Sequence, residues 1–173
     1  MIRSEGYDAG KGWQTVAIPT WTMRTIYYWN QVFPAKSVIS VSHSYKPSVG
    51  AAVETVVGSE YANAESMREY LERYCVDDDF IRAVRRLRRP SSKRGRLMLT
   101  EQRLEYILTT GANWAGTIRD FTMTIDKGAA DNLVSFCGTG VRKISPTKFQ
   151  VTMKDFYPEK NVDVLILKPV RQP

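Results

Sequence analysis

The chain reads as an α+β protein: mainly antiparallel, sandwich-like sheets with two helices inserted between its β halves. Three observations predict this class. Period-two alternation dominates both ends of the sequence, helical period is confined to the stretch 60–96, and the alternating runs are half polar. Strands with one wet face suit antiparallel sheets, whereas strands buried in a parallel sheet read as continuous apolar runs. At 173 residues, one domain spanning 1–173 is expected, with a core large enough to need no staples.

The opening residues, MIRSEGYDAGKG, lack the apolar stretch of an export signal, and 1–12 is expected to be flexible. The run Trp21 to Trp29 then alternates, placing Trp21, Met23, Tyr27 and Trp29 on one face. Phe33-Pro34-Ala35-Lys36 interrupts it. From Val38 to Tyr45, the residues Ile39, Val41, His43 and Tyr45 share a face opposite Ser40, Ser42 and Ser44. Pro47-Ser48-Val49-Gly50 ends the run, and the two alternating runs together predict a hairpin.

Helical spacing begins at Asn63. Met67, Tyr70, Leu71 and Tyr74 follow the i, i+3, i+4, i+7 pattern, Asn63 is placed to cap, and Glu69 with Arg73 forms an exposed pair. A second helix starts near Asp77-Asp78-Asp79, carries the apolar stripe Phe80, Ile81, Val84 and Leu87, and stops at Pro90. The basic loop Ser91-Ser92-Lys93-Arg94-Gly95 closes this helical insert, 60–96.

Alternation then returns. The expected strands are Arg103–Thr110, Ile118–Asp126, Leu133–Cys137, Lys148–Lys154 and Val162–Leu167. Phe121, Met123 and Ile125 oppose Asp120, Thr122 and Thr124, and Phe149, Val151 and Met153 oppose Lys148, Gln150 and Thr152. Val162–Leu167 is the most continuously apolar and is expected at the centre of a sheet.

The net charge of +7 is local. Residues 82–96, RAVRRLRRPSSKRGR, hold eight basic residues and no acid; removing those eight from the 25 leaves 17 against 18 acidic ones. A basic patch of Arg82, Arg85, Arg86, Arg89, Lys93, Arg94 and Arg96 can meet nucleic-acid phosphates, anionic lipid heads or an acidic protein face. No aromatic is interleaved to stack on bases, and neither a helix-turn-helix nor a zinc pattern accompanies the patch, so nucleic acid is disfavoured. A solvated helix end, with arginines offsetting the macrodipole, is the plain alternative.

Catalytic signatures are sparse. His43 is the single histidine and sits among apolar neighbours on its run, as a structural histidine would. No G-x-S-x-G motif occurs, and Gly138-Thr139-Gly140 lacks the spacing of a phosphate-binding loop. Asp77-Asp78-Asp79 has no glycine-turned calcium loop behind it and suits a helix N-terminus. No metal or cofactor is expected. Cys137 as a thiolate nucleophile with His43 as its base is the enzyme reading, a cysteine-dependent hydrolase. Cys75 and Cys137 are too few for a zinc site, and the sequence leaves open whether they pair. A bridge over so long a loop would stabilise the fold by about 4 kcal/mol in the chain-entropy model.

Several stretches occur together in order: Tyr27-Tyr28-Trp29, Phe33-Pro34-Ala35, Ser42 to Gly50, Tyr74-Cys75-Val76-Asp77, Thr109 to Gly116, and Val134 to Gly138. In this combination the chain resembles the bacterial domain of unknown function 4424 family, from about Trp21 to Leu167, as its C-terminal part. Thr109-Thr110-Gly111-Ala112-Asn113-Trp114-Ala115-Gly116 carries the resemblance most specifically. The chain departs from the family pattern at Ser44 and Thr117, where arginine and proline are expected. The resemblance implies exported, periplasmic or secreted proteins with a further β-rich half upstream, and it assigns no catalytic residue. An oxidising compartment in turn implies a Cys75–Cys137 disulfide.

The resulting expectation is a non-catalytic, extracytoplasmic β-rich binding or structural module. Its expected partner is an anionic envelope surface or an acidic protein, with no transmembrane segment. The rivals are the Cys137–His43 hydrolase and a cytoplasmic nucleic-acid binder acting through 82–96. Asn113-Trp114-Ala115-Gly116 is expected as a strand-entry motif. In it Trp114 covers an open end of the sandwich, Asn113 bonds within the turn and Gly116 permits close backbone approach. The sharper reading places a binding cleft there, formed by His43, Tyr45, Lys46, Asn113, Trp114 and Asp120.

Overall fold

The structure, a computed structural model, describes the chain except residues 1, 9, 10, 19, 22–25, 48, 90–96, 172 and 173. Nine strands in three antiparallel sheets and two helices are described. The chain divides into two compact units, residues 1–44 and 45–173.

In the first unit, β1 (Ile2–Asp8) pairs antiparallel with β2 (Gly12–Ile18), from Ile2 opposite Ile18 to Asp8 opposite Gly12. Gly12 enters the second strand at φ +71°, a left-handed conformation that glycine adopts without penalty. The stretch expected to be flexible, 1–12, thus holds the first strand of this hairpin. The hairpin predicted from Trp21–Trp29 and Val38–Tyr45 does not form among the described residues, where 26–47 carries no strand. The face that alternation predicts to be buried is open: Tyr27, Trp29 and Val41 are exposed, and His43 is exposed with its ring 4.7 Å from that of Trp29. A two-stranded ribbon without a covered apolar face is marginal in water, so the pattern alone does not hold it.

The second unit contains both helices and the other two sheets. The four-stranded sheet runs β3 (Gly50–Ala52), β4 (Leu97–Tyr106), β9 (Val162–Arg171), β6 (Leu133–Phe136). The three-stranded sheet runs β5 (Ile118–Asp126), β8 (Lys148–Phe156), β7 (Arg142–Lys143). As its apolar run predicts, β9 is central, flanked by β4 and β6.

Helices α1 (Ala64–Tyr74) and α2 (Asp78–Arg88) pack on one face of the four-stranded sheet. Asn63 caps α1 as expected, accepting from the Ser66 N–H at 2.9 Å, while the Ser66 hydroxyl accepts from the Asn63 N–H at 3.0 Å. Asp77 caps α2 through the Phe80 N–H. Met67, Tyr70, Tyr74, Val76 and Val84 close the helical side of the core over Leu99, Leu165 and Leu167. A polar group is sealed within it. Glu101, 1% exposed, accepts from the Tyr70 hydroxyl at 2.8 Å and from Arg103 Nε at 2.8 Å, and Arg103 Nη2 also donates to that hydroxyl. Burial, and after it the bond to Glu101, pushes the Tyr70 phenol up to about 12.

Of the five expected strands only Ile118–Asp126 keeps its bounds: the strand expected at Leu133–Cys137 ends at Phe136, Val162–Leu167 runs on to Arg171, and the other two differ in ways that shape the site. The strand expected at Arg103–Thr110 begins at Leu97 and ends at Tyr106, and Thr109–Asn113 forms a 3-10 helix. The Asn161 side-chain oxygen starts this turn by accepting from the Leu108 N–H, the Thr109 N–H and, at 3.0 Å, the Thr109 hydroxyl. In β8 the strand extends past Lys154 to Phe156 through Asp155 at φ +49°. Alternation would send Phe156 to the side of Lys154, but its ring instead lies 4.4 Å from that of Phe121.

Candidate functional site

The face of the four-stranded sheet turned away from the helices confronts β5 across a cavity of about 440 Å³. Leu104 of β4 and Val162, Val164 and Ile166 of β9 line one side; Phe121, Met123 and Ile125 of β5 line the other. A second cavity of about 580 Å³ shares Leu108, Phe121, Met123 and Val162 with the first. The two therefore meet and form one cleft between the sheets. The floor of the larger part is Val151, Met153 and Phe156, and only Val151 of these is buried. Alternation in β5 and β8 sends these apolar side chains inward, and the left turn at Asp155 adds Phe156.

One wall of the cleft is a disulfide. Cys75 and Cys137 are bonded, with Cα atoms 5.0 Å apart, and both line the larger cavity. Cys75 ends α1 at φ +50°, with its N–H donating to the Tyr70 carbonyl, and Cys137 follows β6, so the bridge ties the helical layer to the sheet edge. Beside it Arg73 donates to Asp163 at 2.7 Å and pairs with Glu105 at 3.4 Å and Glu69 at 3.5 Å. The Asp163 hydrogen bond holds the Arg73 guanidinium above its ordinary pKa. Glu72, Glu159 and Lys160 complete a mixed rim around an apolar floor.

The residues read from the sequence as a cleft lie elsewhere. His43 belongs to the first unit, against Trp29. Tyr45 and Lys46 are exposed at the start of the second unit. Asn113 and Trp114 are exposed at the end of the 3-10 turn, Trp114 at 65%. Asp120 lies on the outer face of β5, paired with Lys154. Trp114 covers no interior, and Gly116 has open space where a side chain would stand. The close approach is at Gly111, where an added Cβ would come within 3.1 Å of Pro158. The described cleft-lining residues are thus mostly ones that the alternation of β5, β8 and β9 marked as core. The signal that could have found them is the shortage of a second apolar layer to cover them.

The basic patch is partly described. Arg82, Arg85 and Arg86 are exposed on α2, Arg89 is exposed at the extended residue that caps its C-terminus, and the four line a recess of about 350 Å³. Arg82 pairs with Asp79. Among the described residues no acid pairs with Arg85, Arg86 or Arg89. Arg88 turns away, bonding Glu54 at 3.0 Å and the Thr55 carbonyl. Lys93, Arg94 and Arg96 lie outside the described residues. Among Arg82, Arg85 and Arg86 two like-charge neighbours result within the helix: 82/86 at i, i+4 and 82/85 at i, i+3. Each such pair costs about 0.2–0.5 kcal/mol of helix stability. The helix macrodipole favours the arginines of the last turn and offsets part of that cost. Among the described residues no helix is long and apolar enough to cross a membrane.

The model of a family described as Domain of unknown function (DUF4424) matches residues 1–165, and the chain belongs to that family. No curated protein and no solved structure matches it.

Proposed function

We propose that the chain is an extracytoplasmic, non-catalytic binding module that takes an elongated apolar group into the cleft between its two sheets. The observation that carries this reading is the cleft itself. Phe121, Met123, Met153 and Phe156 remain partly exposed along a cavity of about 580 Å³, within the size range of small-molecule sites. Side chains of this kind normally close a sandwich interior, so leaving them accessible costs stability that a ligand would return. The mixed rim of Glu72, Lys160 and Glu159 supports a ligand with a polar end at the mouth. Asn113 and Trp114 enter the proposal only as the turn leading from Leu108 into β5.

The Cys75–Cys137 bridge supports an oxidising setting. It also opposes the hydrolase reading, because the Cys137 sulfur is bonded and offers no thiolate for His43 to activate. Alkylation of the denatured protein at the moment of lysis tests the setting: no free thiol is expected, and two would return the chain to a reducing compartment.

The cleft is tested by titrating the protein with the apolar fluorophore N-phenyl-1-naphthylamine. Saturable binding is expected, and Met123→Trp, which fills the junction of the two cavities, is expected to weaken it at least tenfold while the protein stays folded. Fluorescence that never saturates, or equal affinity in a folded Met123→Trp protein, would discard the reading.

A further inference from the structure

We propose that the arginine face at the C-terminal end of α2, made by Arg82, Arg85 and Arg86 of the helix and Arg89 of its cap, docks on the phosphate groups of an anionic lipid surface. This inference is independent of the inter-sheet cleft. Arg82, Arg85 and Arg86 stand on the exposed side of the helix, over a rise of about 6 Å at 1.5 Å per residue, and Arg89 joins them from its C-terminal cap. Guanidinium groups match phosphate oxygens two at a time, which a lysine cannot do. Among the described residues Arg82 alone of these four pairs with a carboxylate, and the remaining arginine of the helix, Arg88, is diverted into structure by Glu54 and Thr55. Left without an anion, these cations repel one another; an anionic layer turns that repulsion into shared attraction.

Shape and surroundings choose the lipid. The face is the exposed side of a helix end, so it presents an array of cations to a surface. The residues between them, Ala83, Val84 and Leu87, are half-buried or buried, which leaves no aromatic or aliphatic anchor of the kind a protein interface core uses. No aromatic is present to stack on bases. The disulfide begins at Cys75, just ahead of the α2 cap Asp77, and a bridge that persists belongs to an oxidising compartment away from nucleic acid.

The test is co-sedimentation with vesicles of phosphatidylcholine alone and of phosphatidylcholine mixed with phosphatidylglycerol. Binding is expected only to the mixed vesicles, with release on raising sodium chloride. The quadruple variant Arg82→Gln, Arg85→Gln, Arg86→Gln and Arg89→Gln is expected to bind them several hundred-fold more weakly, from the contribution of each cation near an anionic bilayer. Glutamine is a good helix former and removes the repulsion, so the helix should persist, checked by circular dichroism. Even without that variant, binding by the unaltered protein that withstands high salt, or that occurs equally on neutral vesicles, would overturn the proposal. So would displacement from the vesicles by an equal concentration of inorganic phosphate, which would make free phosphate the ligand. Tighter binding to duplex DNA or to polyglutamate than to the mixed vesicles would reassign the face to nucleic acid or to an acidic protein.

Discussion

Leu165 and Ile166 are neighbours in β9, yet one faces a closed interior and the other an open one. Leu165, at 0% exposure, lies beneath the two helices, where apolar side chains interlock and the Tyr70–Glu101–Arg103 group satisfies its own polar atoms. Ile166 is half-buried and borders the cavity shared with β5. The helical side has the burial expected of a core built for stability. The other side keeps apolar surface available. A single sheet therefore has one face sealed and one that borders a cavity, the face on which the proposed binding rests.

The sharpest way to break this comparison is to truncate both neighbours. Leu165→Ala should cost about 2–5 kcal/mol, as buried leucines do when the cavity left behind cannot collapse. Ile166→Ala should cost less than half as much, because part of its side chain already meets the cavity. Equal losses in urea denaturation would mean that the two faces are packed alike.

Tyr70 sharpens the closed side. Tyr70→Phe should cost about 1–2 kcal/mol near neutral pH, by removing a buried donor to a charged acceptor. The folded pKa, about 12, lies above the ordinary value of 10.0. The phenol's contribution is therefore fully present below about pH 10 and lost as the pH rises toward the folded value. The gap between the unaltered protein and Tyr70→Phe should narrow across that window. A gap that stays constant between pH ~9 and pH ~11 would show that the phenol is not sealed.

The smallest effect concerns the motif that stands out most in the sequence. Trp114 is 65% exposed, so Trp114→Ala should change stability by no more than about 0.5 kcal/mol. A large loss would mean that this ring covers an interior after all.

Much of the fold was legible. Asn63 is the cap that the sequence indicates, α2 starts at the Asp77–Asp79 run as read, and the bounds of β5 agree with its alternation. What was not legible depends on partners far along the chain. The 3-10 turn at Thr109 is started by Asn161, which no local pattern connects to it. The entry of Phe156 into the cleft depends on one left-handed residue, Asp155, in a run that otherwise alternates cleanly. The predicted hairpin over 21–45 errs in the opposite direction, since its pattern is present but the alternating face has nothing to cover it among the described residues of that unit.

By itself, the sequence determined the two helices, the cap at Asn63, the strands β5, β6, β8 and β9, and that the positive charge is gathered over 82–96. These follow from side-chain period and short-range capping, which act over a few residues. Only the tertiary structure decided which face of the four-stranded sheet is sealed, that Cys75 meets Cys137, and that the apolar faces of β5, β8 and β9 border a cleft. Alternation states that a face is apolar; what lies opposite it is set by residues tens of positions away, and so it emerges only when the layers pack.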